Sequence, residues 1–240
     1  MSLTTWTPAA IASKATIFAE SLSRFVVKNA QTSISKITDT EDELILIEGA
    51  ITRQASRYKS GARDLHPLMQ LPFTAKSYVG GSRFRAQFDP GVFYGADSIV
   101  TAAAERGYHH HLFVKSSPDL ITSGATAFTF FTAKISTKLV DVRKAPFKKS
   151  SHLFHNKDSY TDSQAFSSLV RQSGVPGIKY SSVRNPNTGE CVALFSPSAF
   201  ASKQPSTWDE NWLCIADSTG ARWINNSSRS IVAPMSFTYT

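Results

Sequence analysis

The side chains best suited to chemistry fall in one stretch, "GSRFRAQFDPGVFYGADSIVTAAAERGYHHH" (81–111), which places Arg83, Tyr94 and Glu105 at equal steps before three histidines. Arginine offers a planar fork of donors matched to phosphate or carboxylate. Tyrosine supplies a ring to stack on and a hydroxyl that donates or accepts. Glu105 closes a run, "ADSIVTAAAE", that is uncharged between Asp97 and Glu105 and whose alanines face protein, so its carboxylate sits near the interior and needs a partner. Each also has an ordinary reading, as a surface arginine in a salt bridge, a half-buried sheet tyrosine and a solvated helix glutamate; equal spacing does not choose between them.

His109, His110 and His111 attract attention first, but consecutive helix residues point in different directions, whereas metal sites pair histidines one turn apart or alternate them along a strand. No metal is expected. The sequence contains no HExxH, no paired CxxC, no Walker A loop and no GxGxxG, and Ser182 does not sit in GxSxG.

These residues need elements to position them. "GVFYGA" (91–96) reads as a strand, and Asp97 or Ser98 caps the helix "SIVTAAAERGY" that follows. Segments 126–134 and 137–142 are rich in aromatic and β-branched residues and read as two strands. A helix over 162–173 opens on the capping box T-D-S-Q, in which Gln164 has a structural task, and stops before Gly174. "GIKYSS" and "ECVALF" form a hairpin around "NPNTG". Upstream, Ile11, Ala15, Phe18, Leu22 and Phe25 recur at helical spacing after Pro8 and predict an amphipathic helix over 8–28. A second helix begins at Thr40, with Glu43 reaching back to the cap and Leu44, Ile47, Ile51, Ala55 and Tyr58 along one face. The expected class is α+β (mixed α/β): a helical N-terminal layer (1–65) packed on a catalytic unit (66–240), together one globular domain.

With 240 residues, 41% of them hydrophobic, the chain is long enough for a sizeable core and has no bias toward disorder. A net charge of +8 favours anionic partners, yet the densest basic cluster, "VRKAPFKK" (142–149), is short and reads as a solvated face. Cys191 and Cys214 lack metal-ligand spacing and are expected as reduced thiols, with a disulfide between them left open. No secretory leader and no membrane-length apolar run is visible, which points to the cytoplasm.

The stretch "LPFTAKSYVGGSRFRAQFDPGVFYGADSIVTAAAERGYHHHLF" resembles the core of RES-domain proteins, the toxins of RES–Xre toxin–antitoxin pairs, in its G-S-R-F, F-Y-G-A and T-A-x-A-E elements. A second block, "YTDSQAFSSLVRQSGVPGIKYSSVRNPNTGECVALFSPSAF" (160–200), is similar to the family's Y-x-x-x-Q helix and G-I-x-Y-x-S-V-R strand. Residue by residue, the resemblance implies Arg83, Tyr94, Glu105 and Ser182 as catalytic residues, with Arg83, Tyr94 and Ser182 also binding substrate. One departure stands out. Relatives read P-F-R-Y where this chain has "PFTAK", so Lys76 or Arg85 is expected to supply the missing positive charge.

The family resembles ADP-ribosyltransferases, with a twisted β-sheet core, and acts on NAD+. The resemblance therefore implies cleavage of the nicotinamide–ribose bond through an oxocarbenium-like transition state. In that chemistry Arg83 binds the pyrophosphate, Tyr94 stacks on nicotinamide or donates from its hydroxyl, and Glu105 stabilises the developing cation. Ser182 orients the ribose or Arg83 rather than attacking, because no His–Asp pair is arranged to activate it; Arg184 is left unassigned. NAD+ is thus the expected substrate, with inorganic phosphate, water or a protein side chain as acceptor. An Xre-type antitoxin is the expected partner, covering the cleft and providing the only link to DNA. Three other roles remain open from sequence: an ADP-ribosyltransferase acting on a protein, a secreted antibacterial effector, and a basic nucleic-acid-binding module in which Arg and Glu are structural.

Overall fold

The computed structural model describes residues 6–28, 62, 64–74, 81–116, 124–226 and 232–239. The expected helix from Thr40 and the side chain of Lys76 lie outside the described residues.

The longest strand organises the molecule. β3 (Thr126–Asp141) runs without a break through the point where its sequence suggests two strands. It alternates large apolar residues to both sides: Phe131, Ala133 and Ile135 enter one core and Phe128 the other. One edge of β3 pairs antiparallel with β1 (Thr16–Val27), from Thr16 opposite Leu139 to Val27 opposite Phe128. Its other edge takes β4 (Gly177–Ser181) in parallel near Val140, and β6 (Thr207–Ala216) antiparallel along Thr126–Thr132. β4 forms a hairpin with β5 (Glu190–Leu194), β5 pairs with β2 (Phe93–Ala96), and Ala96 of β2 meets Ser23 of β1. The pairings β1-β2-β5-β4-β3-β1 thus close a circuit, and β6, β7 (Gly220–Asn225) and β8 (Met235–Thr238) extend the sheet from β3.

β1 overturns the reading of 8–28 as one amphipathic helix. Only α1 (Pro8–Ala12) is helical there, capped by Thr7, and residues 16–27 form a central strand. The cause is a switch of the buried face along the strand. Phe18 and Leu22 enter one core while Ile17, Ala19 and Ser21 are exposed, and Phe25 then enters the other core. The apolar positions therefore fall at a helical spacing that a strand buried on one face throughout would not show. No helical layer stands at residues 16–27; this segment is part of the sheet.

The two cores lie on opposite sides of that sheet. Phe18, Leu22, Phe93, Phe131 and Leu194 pack with Met69 of α2 (Pro67–Thr74). Phe25, Phe128, Ile178, Ala193 and Trp223 belong to the other core. There they meet α3 (Ile99–Lys115) through Ala102, Ala103 and Ala104, and α5 (Thr161–Gln172) through Phe166 and Val170. A short 3-10 turn (Phe147–Ser150) and α4 (Ser151–Phe154) precede α5.

Both helices answer their sequence signals, with one correction. Ser98 caps α3 by accepting from the Thr101 N–H at 3.2 Å, as Ser/Thr/Asp caps do. α5 ends before Gly174, whose φ of 75° suits glycine. Its first turn, however, is not a capping box: Tyr160 holds the cap position without a side-chain hydrogen bond, and Gln164 reaches elsewhere. Cys191 and Cys214 are buried and free, which removes a disulfide between them. Among the described residues no helix is long and apolar enough to cross a membrane.

Candidate active site

The first wall of the site is a tight turn. Ser82 and Arg85 exchange backbone hydrogen bonds at 2.8 and 3.0 Å, and Gly81 enters the turn at φ 71°, where a Cβ would lie 2.1 Å from the Arg85 carbonyl oxygen. Gln164 of α5 spans the turn, its Nε2 donating to the carbonyls of Ser82 at 3.0 Å and Arg85 at 3.2 Å. Gln164 thus clamps the turn and does not close a capping box on α5.

The turn presents Arg83 in a fixed pose. Its Nη1 donates to the carbonyls of Phe154 at 2.9 Å and Asn156 at 2.8 Å, and the guanidinium lies 4.8 Å from the centre of the Tyr160 ring. Those carbonyls occupy one end of the fork, leaving the rest for a ligand. Tyr94 faces Arg83 from β2. Its hydroxyl accepts from the Phe84 N–H at 3.0 Å and shares a 2.8 Å hydrogen bond with Ser82 Oγ. Burial raises the tyrosine's pKa, so the phenol stays protonated and is committed to the turn; the ring is the part left for a substrate.

Glu105 projects from the second turn of α3, and Ser182, just past β4, donates to its Oε1 at 2.5 Å. The Ser182 oxygen also accepts from the Arg184 N–H at 3.2 Å and the Asn185 N–H at 3.0 Å. A hydroxyl has one proton and two lone pairs. All three are used, so Ser182 holds Glu105 and is not a nucleophile. Its side-chain partner is Glu105 and not Arg83, one of the two partners expected from sequence. The loop is itself tied to α3, because Asn185 Nδ2 donates to Thr101 Oγ1 at 3.1 Å and a Cβ on Gly189 would lie 2.2 Å from the same oxygen.

Arg83, Tyr94 and Glu105 line one cavity of about 170 Å³. Ser182 stands behind Glu105, outside the lining. Arg85 is turned away, its Nε donating to the Asp89 carbonyl at 3.1 Å, so it does not bring charge into the cavity to replace what "PFTAK" lacks.

The remaining walls hold residues the sequence did not single out. Arg24 enters from β1, Arg106 and His109 from α3, Tyr160 from the start of α5, and Arg184 from the loop after β4. Arg24 donates from Nη1 to the Tyr94 carbonyl and lies 4.9 Å from the Phe93 ring centre. Burial first, and Arg106 second, pull its pKa down to about 10, and among the described residues no carboxylate pairs with it. Arg184 packs 3.4 Å from the Tyr108 ring centre and donates from Nη2 to the Lys157 carbonyl at 2.8 Å. Four guanidiniums therefore surround a single carboxylate in the cavity lining. That arrangement attracts an anion while keeping one negative charge at a defined point.

The histidines divide. His111 Nδ1 is hydrogen-bonded to the Asp217 carbonyl at 2.6 Å, and His110 packs against Phe113 and Phe128. His109 alone of the three faces the cavity. Burial, followed by Arg106, Arg184, Arg83 and Arg24, lowers its pKa to about 4, so the imidazole is neutral at physiological pH. Its signal was present in the sequence, since His109 lies one helical turn beyond Glu105. Arg24 gave none, because the strand that presents it reads as a helix.

The RES domain family model matches residues 58–216, most of the chain. The chain belongs to the RES domain family. No curated protein matches it significantly. Among solved structures it is similar to the crystal structure of the M. tuberculosis MbcT-MbcA toxin-antitoxin complex, at 12% identity, over 83% of this chain and 88% of that one, with a TM-score of 0.46. One wall of the cavity comes from beyond the matched residues, where β1 supplies Arg24. The C-terminal segment lies outside the lining and buttresses α3, where Tyr239 donates from its hydroxyl to the Ala104 carbonyl at 2.7 Å.

Proposed function

We propose that this RES domain is an NAD+-consuming toxin that breaks the nicotinamide–ribose bond and is restrained by a cognate antitoxin covering the cavity. The observation that carries this reading is Glu105: the one carboxylate of an arginine-lined cavity, pinned by Ser182 so that its second oxygen is available to a ligand.

The chemistry needs an anion site, an aromatic surface and a fixed negative charge. NAD+ brings a pyrophosphate for the open side of the Arg83 fork, aided by Arg24, Arg106 and Arg184. It also brings a pyridinium, whose flat face suits the rings of Tyr94 and Tyr160. As the C1′–N bond lengthens, its electron pair moves to the nicotinamide nitrogen and positive charge moves to the ribose. A carboxylate held beside C1′ favours that redistribution, and more so where water is excluded. The hydrogen bond from Ser182 to Oε1 helps to hold the Glu105 carboxylate in one orientation. Phosphate, water and a side chain all remain chemically competent acceptors, because bond cleavage is common to the three.

The test is to incubate purified protein, free of any antitoxin, with NAD+ and to follow the products by NMR with and without inorganic phosphate. NAD+ should disappear and nicotinamide accumulate. Glu105→Gln, which keeps the shape and removes the charge, should lower kcat by about 10²- to 10³-fold. NAD+ left intact under both conditions, with no nucleotide bound, rules the reading out.

A further inference from the structure

His109 has no part in the reaction described above, yet its surroundings suit one. Glu105 and His109 are one turn apart on α3, so both side chains leave the same face of the helix, and both line the cavity. Among the described residues neither ring nitrogen of His109 makes a hydrogen bond; the ring's contact is an edge-on one with Tyr108 at 5.6 Å. The two histidines that follow are engaged in packing and a carbonyl hydrogen bond. His109 is therefore the imidazole of the run that is open to a ligand.

Its neighbours come from every wall: Glu105 and Arg106 on α3, Arg24 on β1, Arg83 on the tight turn, and Arg184 after β4. The side chain is exposed where it lines the cavity. Partial desolvation there, together with those four guanidiniums, favours its neutral form, with a lone pair to receive a proton and no positive charge to repel a pyridinium. Phosphates bound by the same arginines would offset their charge and raise the proton affinity of the ring once substrate is in place.

Resting on the NAD+ reading, we propose that His109 is the general base for hydrolysis, accepting the proton of the water that attacks ribose C1′. The water oxygen bonds to C1′ as the C1′–N bond breaks; the bonding pair leaves with neutral nicotinamide, and the water's proton passes to a ring nitrogen of His109 and then to solvent. Glu105 meanwhile stabilises the cationic ribose. An acceptor that is already anionic has no proton to lose and bypasses His109, so the residue divides the acceptors into two classes, neutral and anionic.

The test uses the full chain and its His109→Gln and His109→Ala variants, first in phosphate-free buffer and then with sodium azide or inorganic phosphate. Hydrolysis by the variants should fall by about 10²-fold in kcat with KM little changed. Azide should restore turnover, giving an azide adduct of ADP-ribose detectable by mass spectrometry. The acid limb of kcat/KM, near pH 4 in the wild type, should be absent in His109→Gln. The ratio of azide to water turnover is internal to each sample, so it is independent of the fraction folded. An unchanged ratio in a wild-type background that consumes NAD+ overturns the role of His109 alone. A wild type that leaves NAD+ intact removes the NAD+ reading, and this proposal with it.

Discussion

Ser182 shows how much a single hydroxyl can hold. It donates to Glu105 and accepts from two backbone N–H groups, so Ser182→Ala leaves those donors without an acceptor and frees the carboxylate. The expected cost is about 1–3 kcal/mol of stability by urea denaturation. Turnover should fall by more than that loss of folded protein explains, because Glu105 is free to rotate. Titration supplies a second prediction at this scale. His109, His110 and His155 all have pKa values lowered by burial first, then chiefly by nearby arginines, although a hydrogen bond to Ser151 partly opposes the shift at His155. The unfolded chain binds protons at these positions near pH 6.5 while the folded chain does so only at lower pH. Their contribution to stability is thus complete above about 6.5 and is lost as pH falls below it, toward about 4 for His109. A melting temperature lower at pH 5 than at pH 7, with a smaller difference in His109→Gln, is the expected result.

Elements decide which residues meet. α5 was legible from its period and its Gly174 stop, but the purpose of Gln164 was not, because a local cap and a long-range clamp require the same residue at the same place. Gln164→Leu removes both hydrogen bonds to the Ser82–Arg85 turn. Since that turn aims Arg83, KM for NAD+ should rise several-fold, at a stability cost of about 1–2 kcal/mol. β1 teaches the converse. Its residues carry branched and aromatic side chains that suit a strand, yet apolar positions that enter first one core and then the other produced a helical spacing. Only the twelve paired positions along β3 settle the matter, and with it the placing of Arg24 in the cavity.

For the molecule as a whole, the site depends on segments distant in sequence. β7 packs beside α3, where a Cβ on Gly107 would lie 2.7 Å from the Tyr239 hydroxyl and 3.0 Å from Trp223 Nε1. Deleting residues 220–240 removes this support without touching a lining residue of the cavity. Calorimetry should show a broadened, lower transition, and NAD+ turnover should be lost even though the RES-matched segment remains whole.

The sequence by itself determined the mixed α and β elements, the family, and the placing of Tyr94 on a strand and Glu105 on the helix after it, because local period, caps and a motif are properties of neighbouring residues. It also marked Ser182 as a member of the set. Arg83, expected on a strand, stands in a turn. The tertiary structure decided what each group touches: Ser182 bonded to Glu105, Arg85 turned away, Gln164 clamping the turn, and Arg24, Arg106, Arg184 and His109 facing one cavity. Those contacts arise from strand register and helix packing across long sequence separations, which the order of residues along the chain does not display.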